Sequence, residues 1–591
     1  MAIRNYQRAF NGGEVSPSMY ARIDDGKYQT GMAQCKNFLI EPQGPIVMRP
    51  GFKYVNHTKH AGKKARLIPF NFSISQTMVL EFGEKYVRFH TQGQTVLGAN
   101  GQPYEIATPY LEADLFEIHY VQSADVMTLV HPNYPPKELR RYGATDWRLV
   151  DIRFGSSLSA PTGLSASQTI NQEVKNPTDY KRTYAVTALL ADGTEESVRS
   201  SSVTLDCNPY GDGSYNTIRW NAVAGAGLYR VYRDQGGVWA YVGQTDTTQI
   251  VDENITPDAS ITPPIYDTVF KNNDYPGAVS YFEQRRWFGG TRDRPNNLWA
   301  TRPGTEADMS YSLPSQSDDR IAVRVAAREA NRILHIVPLS QLMLMTGAAE
   351  WRVSPLNSDA ITPESMSVRP QSYVGASNVQ PLVVGSSMIY GAGRGGHLRE
   401  LGYNYEAGGY ISGDVCLRAP HLFDNLTIVD LAYSKAPSPV VWAVSSSGKM
   451  VAMAYVPEQQ VGGFSTIETK GSIESACVVA EGDEDIVYVE VMRTVNGQAV
   501  RFVERMNERQ YKDLKECVYV DCAATYRGEA KKEITGLTWL EGETVSILAD
   551  GAVEPQQVVK DGKITLTYPA EIVHVGLPFT ADMKTLPVAM A

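Results

Sequence analysis

The amino-acid sequence predicts a mainly β protein. The expected architecture is an irregular, about seven-bladed β-propeller, interrupted by one inserted β-sandwich and followed by a small C-terminal β-barrel or sandwich. Three observations lead there. Strand–turn–strand units recur from about residue 65 onward. Turn formers and amphipathic aromatics are abundant, with Gly 49, Pro 33 and Tyr 33 among 591 residues, a mixture that suits short strands better than long helices. Helical periodicity is scarce, and its best instance, Val325-Ala-Ala-Arg-Glu-Ala-Asn-Arg-Ile-Leu334, would form about two turns.

Residues 1–64 are expected to form an N-terminal arm or platform, and 65–155 and 268–510 the two parts of the propeller. The units Thr77-Met-Val-Leu-Glu-Phe-Gly-Glu-Lys-Tyr-Val-Arg-Phe89 and Val440-Val-Trp-Ala-Val-Ser-Ser-Ser-Gly-Lys-Met-Val-Ala-Met-Ala-Tyr455 show the repeated theme. The second reads strand, tight turn at Ser447-Gly448, strand. One residue from each hairpin gives Val79, Met127, Tyr281, Leu342, Met388, Val441 and Val487, about 48, 154, 61, 46, 53 and 46 residues apart; propeller blades recur every 40 to 50 or so. Removing residues 156–267 shortens the long interval to about 42.

That segment opens on the linker-like Gly155-Ser-Ser-Leu-Ser-Ala-Pro-Thr-Gly-Leu164 and closes at Ile261-Thr-Pro-Pro-Ile265. Between them, Tyr184-Ala-Val-Thr-Ala-Leu, Asn216-Thr-Ile-Arg-Trp-Asn, Leu228-Tyr-Arg-Val-Tyr-Arg and Trp239-Ala-Tyr-Val-Gly read as short strands. With Pro161 at its start, Trp220 suited to a core and Tyr229-Arg-Val-Tyr as a central strand, the insert resembles a fibronectin type III sandwich. Residues 511–591 form the last unit. Its strands, Ile534 to Leu548, Gly562 to Leu566 and Ile572 to Leu577, are separated by Glu541-Gly542, Asp550-Gly551 and Asp561-Gly562.

The formal charge is −10 and the pI about 5.5. Tight grip on nucleic-acid phosphates needs clustered Lys and Arg, so this balance argues against it and suits a surface that DNA passes without sticking. No apolar stretch at the N-terminus suggests a leader, and no run is long enough to cross a bilayer. Cys35, Cys207, Cys416, Cys477, Cys517 and Cys522 are scattered without a disulfide framework, as expected of buried free thiols in a reducing cytoplasm.

No catalytic, cofactor-binding or metal-binding residue is assigned, no cofactor is expected, and the chain reads as a non-enzyme. His57-Thr-Lys-His60 lacks the glutamate and spacing of a zinc protease helix. Cys517-x4-Cys522 is half a zinc site without a second half. Gly391-Ala-Gly-Arg-Gly-Gly-His397 lacks the Lys-Ser/Thr of a phosphate-binding loop and reads as a hairpin tip. Asp24-Asp25, Asp318-Asp319 and Asp483-Glu484-Asp485 sit beside turns or charges and read as solvated loops.

Two stretches resemble the tail nozzle family of short-tailed bacteriophages (podoviruses), also called tail tubular protein B. One is Phe10-Asn-Gly-Gly-Glu-Val-Ser-Pro17 with Cys35-Lys-Asn-Phe-Leu-Ile-Glu-Pro-Gln-Gly-Pro-Ile-Val-Met-Arg-Pro-Gly-Phe52. The other comprises Tyr281-Phe-Glu-Gln-Arg-Arg-Trp-Phe-Gly-Gly290, Asn297-Leu-Trp-Ala-Thr-Arg302, Asp318-Asp-Arg-Ile-Ala-Val323 and the run from Ile333 to Val353 containing Gly347-Ala-Ala-Glu-Trp. The resemblance implies a structural virion protein in the tail, assembled in the host cytoplasm as a ring of six copies. It would enclose and gate the DNA ejection channel, contacting the portal-proximal adaptor and the tail fibres or spikes, with DNA passing through the lumen without sequence-specific binding. The alternatives are a virion attachment or fibre-docking propeller, or a carbohydrate-active propeller enzyme. Two departures stand out. The fibronectin-like insert is not a usual feature of that family, and the chain stops at Thr585-Leu-Pro-Val-Ala-Met-Ala591, where such nozzles tend to continue.

Overall fold

The computed structural model describes residues 6–587 apart from 21, 23, 74–75, 171–175, 268, 327–330 and 460. Among the described residues there is no α-helix, only 3-10 turns, and the chain is otherwise strand and connection.

Seven antiparallel sheets of four principal strands follow one another along the chain. Blade 1 runs from strand Arg66–Asn71 to Glu105–Ala107 and blade 2 from His119–Ser123 to Asp146–Asp151. After the insert, blade 3 runs from Ala278–Phe282 to Ile321–Arg324, blade 4 from Ile333–Pro338 to Ser367–Ser372 and blade 5 from Leu382–Val384 to Gly409–Asp414. Blade 6 runs from Ile428–Ser434 to Val461–Ile467. Blade 7 takes three strands from Ser472–Glu481, Glu484–Val495 and Gln498–Met506, and its fourth, Phe52–His57, from the other end of the chain.

What makes this a closed ring is the placement of the apolar side chains. Seven clusters each bridge two neighbouring blades: Phe70 with Leu129, Val130 with Phe288, Leu298 with Leu344, Met343 with Met388, Ile389 with Val441, Trp442 with Val489, and finally Val479 with Leu67, which joins blade 7 to blade 1. Each sheet is thus covered on both faces, so its second strand is largely buried; Leu342–Thr346, Ser387–Gly391 and Val440–Ser445 are buried at every position. Strands buried on both faces read as continuous apolar runs. The seven hairpin residues from Val79 to Val487 fall one to each blade, six in the second strand and Tyr281 in the first.

The helix expected over 325–334 does not form among the described residues. Ile333 and Leu334 open the first strand of blade 4, Val325 and Ala326 are irregular, and 327–330 lie outside the described residues. The ridge of Ile333, Ile336 and Leu344 packs on Trp287 and Leu298, so tertiary contact with blade 3 overrides local periodicity.

Residues 156–267 contain two sheets, Ser165–Thr169, Tyr215–Arg219 and Gln249–Asp252 facing Val203–Cys207, Tyr180–Leu189, Leu228–Gln235 and Val238–Thr245. Tyr184, Ile218, Trp220, Tyr229 and Val231 fill the space between them. Inside, Asp252 accepts hydrogen bonds from the Tyr184 hydroxyl at 2.6 Å and from Arg233 at 2.7 Å.

The C-terminal strands Asp521–Thr535, Lys563–Leu577, Thr544–Ala549 and Ala552–Val558 form one sheet that continues from blade 7 through Phe52–His57. Two of the expected strands here, from Gly562 and from Ile572, are one 15-residue strand, Lys563–Leu577. Thr567-Tyr-Pro-Ala570 looks like a connection in sequence, but the strand passes through it with a shifted register against Lys531–Glu533.

Candidate functional site: the propeller axis and the clasped rim

The first strand of each blade faces the axis, where propellers commonly place their chemistry or leave a channel. Here the axis is filled by buried polar side chains. Both ring nitrogens of His119 (blade 2) face carbonyl oxygens, Nδ1 toward Gly277 at 2.6 Å and Nε2 toward Asn378 at 2.9 Å. His335 (blade 4) donates from Nε2 to the Ser377 carbonyl at 2.8 Å, and its ring centroid is 4.6 Å from that of His119. Burial pushes His119 down to about 4 and His335 well below its ordinary value. Two carbonyls can both be satisfied only by a doubly protonated ring, so geometry and desolvation pull His119 in opposite directions.

Gln380 closes the same side by exchanging two hydrogen bonds with the Tyr120 backbone. Near Tyr120, Arg66 (blade 1) donates to the carbonyls of Leu115 and Ile118 at 3.0 and 2.6 Å. Asp430 (blade 6) accepts from the Ser475 hydroxyl (blade 7) at 2.6 Å, and Ser475 in turn accepts from the Leu67 amide at 3.0 Å. Burial holds the Asp430 carboxyl above the usual carboxylate range. The cavity left beside His119, Ser280 and Gln380 is about 140 Å³. With Arg66, His119, Ser280, His335, Asp430 and Ser475 all buried, the axis leaves no room for a polynucleotide strand.

The rim is uneven. Blade 6 is extended by Gly31–Lys36, parallel to Val461–Ile467, and Asp582–Thr585 then pairs antiparallel with Gly31–Lys36, so both chain ends are clasped there. Gly12-Gly13 makes this possible. Gly13 has φ +71°, and a Cβ on it would stand 2.3 Å from the Phe464 amide nitrogen; one on Gly463 would meet Gly13 in return.

A second joint is built on Arg49-Pro50-Gly51. Arg49 is fully buried and grips Asp521 with two hydrogen bonds of 2.9 and 2.7 Å, also donating to Asn37 Oδ1 and the Glu468 carbonyl. Its guanidinium lies 3.8 Å from the centre of the Phe579 ring. Burial opposes ionisation of Asp521, but Arg49 outweighs it and holds that carboxyl below its ordinary value. At Gly51 a Cβ would be 1.9 Å from the Val520 carbonyl oxygen. The joint therefore locks the N-terminal arm, blade 7 and the C-terminal domain together.

The centrally placed motif residues are also joints. Glu283 and Gln284 take positive φ in a two-residue hairpin. Arg286, fully buried, bridges Glu138 of blade 2 at 2.8 Å and Glu306. Arg285 donates to the carbonyls of Thr301, Asp319 and Ser317. Glu350 is wholly buried and accepts from the Gly375 amide and the Tyr390 hydroxyl at the seam of blades 4 and 5.

The residues flagged for chemistry are dispersed. His57 packs edge-on with Tyr54 in the outer strand of blade 7, whereas His60 contacts Tyr86. All six cysteines are buried and free, and burial pushes the Cys35 thiol up to about 12. Cys522 belongs to the C-terminal apolar core, while Cys517 faces the Asp513 carbonyl. The glycine-rich segment joins the second and third strands of blade 5, and His397 sits between Asp414 and Asp424 at 2.9 and 3.1 Å. Burial lowers the affinity of that imidazole for a proton, but the two carboxylates prevail and hold it above its ordinary value.

Asp24 and Asp318 pair with Arg22 and Arg302. Asp319 and Glu484, expected in solvated loops, are instead buried. Asp319 accepts from the Ser312 amide and hydroxyl, and Glu484 from the amides of Arg509 and Gln510. Each shapes a turn by capping its amides. Among the described residues, no three His, Cys, Asp or Glu side chains are grouped to hold a metal ion. Nor, among the described residues, is any helix long and apolar enough to cross a membrane.

No protein-family description matches this sequence, and no curated protein matches it. Solved structures that resemble it include the computationally designed Ika8 protein, with 10% identity, a TM-score of 0.30, and 77% of this chain and 99% of that one covered. Others are the WD40 repeats of RRP9, at 8% identity, TM-score 0.27 and coverage of 67% and 98%, and the WD40 domain of Neurospora crassa Pan2, at 6%, 0.27 and coverage of 67% and 90%. The propeller description here rests on the seven sheets and their seven shared seams.

Proposed function

We propose that this chain is a structural component of a short-tailed phage tail, a nozzle subunit that assembles as a ring of six around the DNA path. The observation that carries the reading is the use to which the nozzle-like motifs are put. Gly12-Gly13, Arg49-Pro50-Gly51, Arg285-Arg286 and Glu350 all serve as buried joints between sheets, although Gly347, Ala348, Ala349 and Trp351 beside Glu350 line a cavity of about 510 Å³. Those residues are what a rigid building block needs.

The filled axis adds a constraint. With its axis-facing side chains buried, a subunit offers DNA no passage of its own, and on this reading the lumen would lie between subunits, bounded by their outer surfaces. Six copies at −10 each carry −60, and at a Debye length of about 8 Å such a wall still repels a duplex close to it. The adaptor, fibres and host-facing parts would contact the insert and the clasped rim. Electron microscopy of virions carrying a label on the insert domain tests this. Six labels around the tail axis are expected, and labels on the capsid or absent from the particle would overturn it.

A further inference from the structure

We propose that the seam closing the ring, between blade 7 and blade 1, is a proton-operated latch in which Glu490 carries its proton while the ring is shut. This inference stands independently of the reading of function. Glu490 lies in the middle of the Glu484–Val495 strand and is fully buried. Its Oε1 accepts the Ala65 amide at 2.9 Å, the contact that brings the start of blade 1 onto blade 7 across 425 positions of chain. Its Oε2 is buried and has no hydrogen-bond partner among the described residues.

The charged groups around it do not balance an ionised carboxylate. On the strand Gln498–Met506, Arg501 is committed to Glu474 by bonds of 2.6 and 3.3 Å and reaches Glu490 only at 3.7 Å. Lys64, on the approach to blade 1, stands 3.5 Å from Glu474. On blade 1, Glu81 is occupied by the Tyr86 hydroxyl at 2.5 Å and by His90 at 2.9 Å, and Lys59 pairs with Glu105. Behind Ser475, which is the register partner of Glu490, lies the buried Asp430 with Arg66 as its nearest cation. Glu490 and Glu474 therefore share one engaged guanidinium, with a third carboxylate, Glu81, close by. Burial, then Glu474 and Glu81, raise the Glu490 carboxyl well above its ordinary value, against the opposing pull of the Ala65 amide and Arg501. An unpaired neutral hydroxyl is tolerable there, and an unpaired anion is far more costly.

The sign follows from linkage. A carboxyl whose proton affinity is higher in the folded than in the unfolded chain contributes its full stability below about pH 4.3, and that contribution is lost as pH rises through the folded value. The test uses the full chain from about pH 5 to about pH 9. Wild type should show a falling thermal midpoint and faster amide exchange at 65–71 and 472–481, after correction for intrinsic rates. Glu490→Gln, which mimics the protonated group, should flatten both trends and melt no lower than wild type at the alkaline end. A steeper or unchanged slope with a lower midpoint at every pH would overturn the proposal, because it would mean an ionised pair with Arg501. If Glu490→Gln does not fold, infrared spectroscopy of Asp430→Asn decides. A protonated-carboxyl band at neutral pH is expected, and its absence would refute the latch.

Discussion

The first and the last seams of the ring solve the same packing problem with different chemistry. Between blades 1 and 2 the shared cluster holds thirteen buried apolar residues, among them Phe70, Phe89 and Trp147. Between blades 7 and 1 it holds seven, and the remaining interior is occupied by Glu81, His90, Glu474 and Glu490. Blades 1 and 2 are neighbours in the chain and meet at little entropic cost. Blade 7 must find blade 1 across more than 400 residues, as the Ala65–Glu490 contact shows. Apolar packing is non-directional and tolerates alternatives, whereas hydrogen-bonded charges admit one register. The closing seam thus trades apolar area for contacts that recognise one partner, and the Phe52–His57 strand and the Arg49 joint then make the closure hard to reverse.

The sharpest way to break that contrast is at the joint. Arg49→Ala leaves Asp521 buried and uncompensated, which should cost roughly 3–5 kcal/mol; Arg49→Met with Asp521→Leu should recover most of it, as urea unfolding can measure. Next in size, Leu129→Ala in the first seam should cost about 2–5 kcal/mol through transfer and cavity terms, with no change in the pH dependence of the midpoint. A loss of pH dependence there would remove the distinction between the two seams. Gly13→Ala should destabilise by about 1–3 kcal/mol and selectively increase exchange in Gly31–Lys36 and Asp582–Thr585.

The pH profile sharpens the comparison further. Asp521, held below its ordinary value by Arg49, contributes stability above its unfolded pKa of about 3.9 that is lost as pH falls. Glu490 acts in the opposite sense, so stability should peak at mildly acid pH and decline on both limbs. Smallest of all, Arg22→Ala on the surface should leave the unfolding midpoint unchanged, since Arg22 and Asp24 are both solvent-exposed.

How far the sequence carried the fold depends on locality. The hairpins were legible because a strand covered on both faces is written as a run such as Leu342-Met-Leu-Met-Thr346, with turn residues at its ends. The insert was legible because linkers mark its two ends and Trp220 and Tyr229 its core. Closure was not. Phe52-Lys-Tyr-Val-Asn-His57 looks like any arm segment, and nothing local in it specifies pairing with Gln498–Met506.

The axial residues were equally hidden. His119, His335 and Asp430 are single polar positions in apolar strands, and only the approach of the inner strands sets His119 against His335 and Asp430 against Ser475. Asp319 and Glu484 misled for the opposite reason, since a carboxylate beside turn residues in sequence is as readily a buried turn cap as a solvated one.

We propose that this closed propeller, its own axis filled, lines a DNA path outside its bore. A cryo-electron microscopy reconstruction of the virion tail tests it most directly. The account predicts six copies of this chain around the particle axis, each with protein density through the region of His119, His335 and Asp430, and nucleic acid only between copies. DNA density along a propeller axis, or a tail in which this chain has no place, would contradict it.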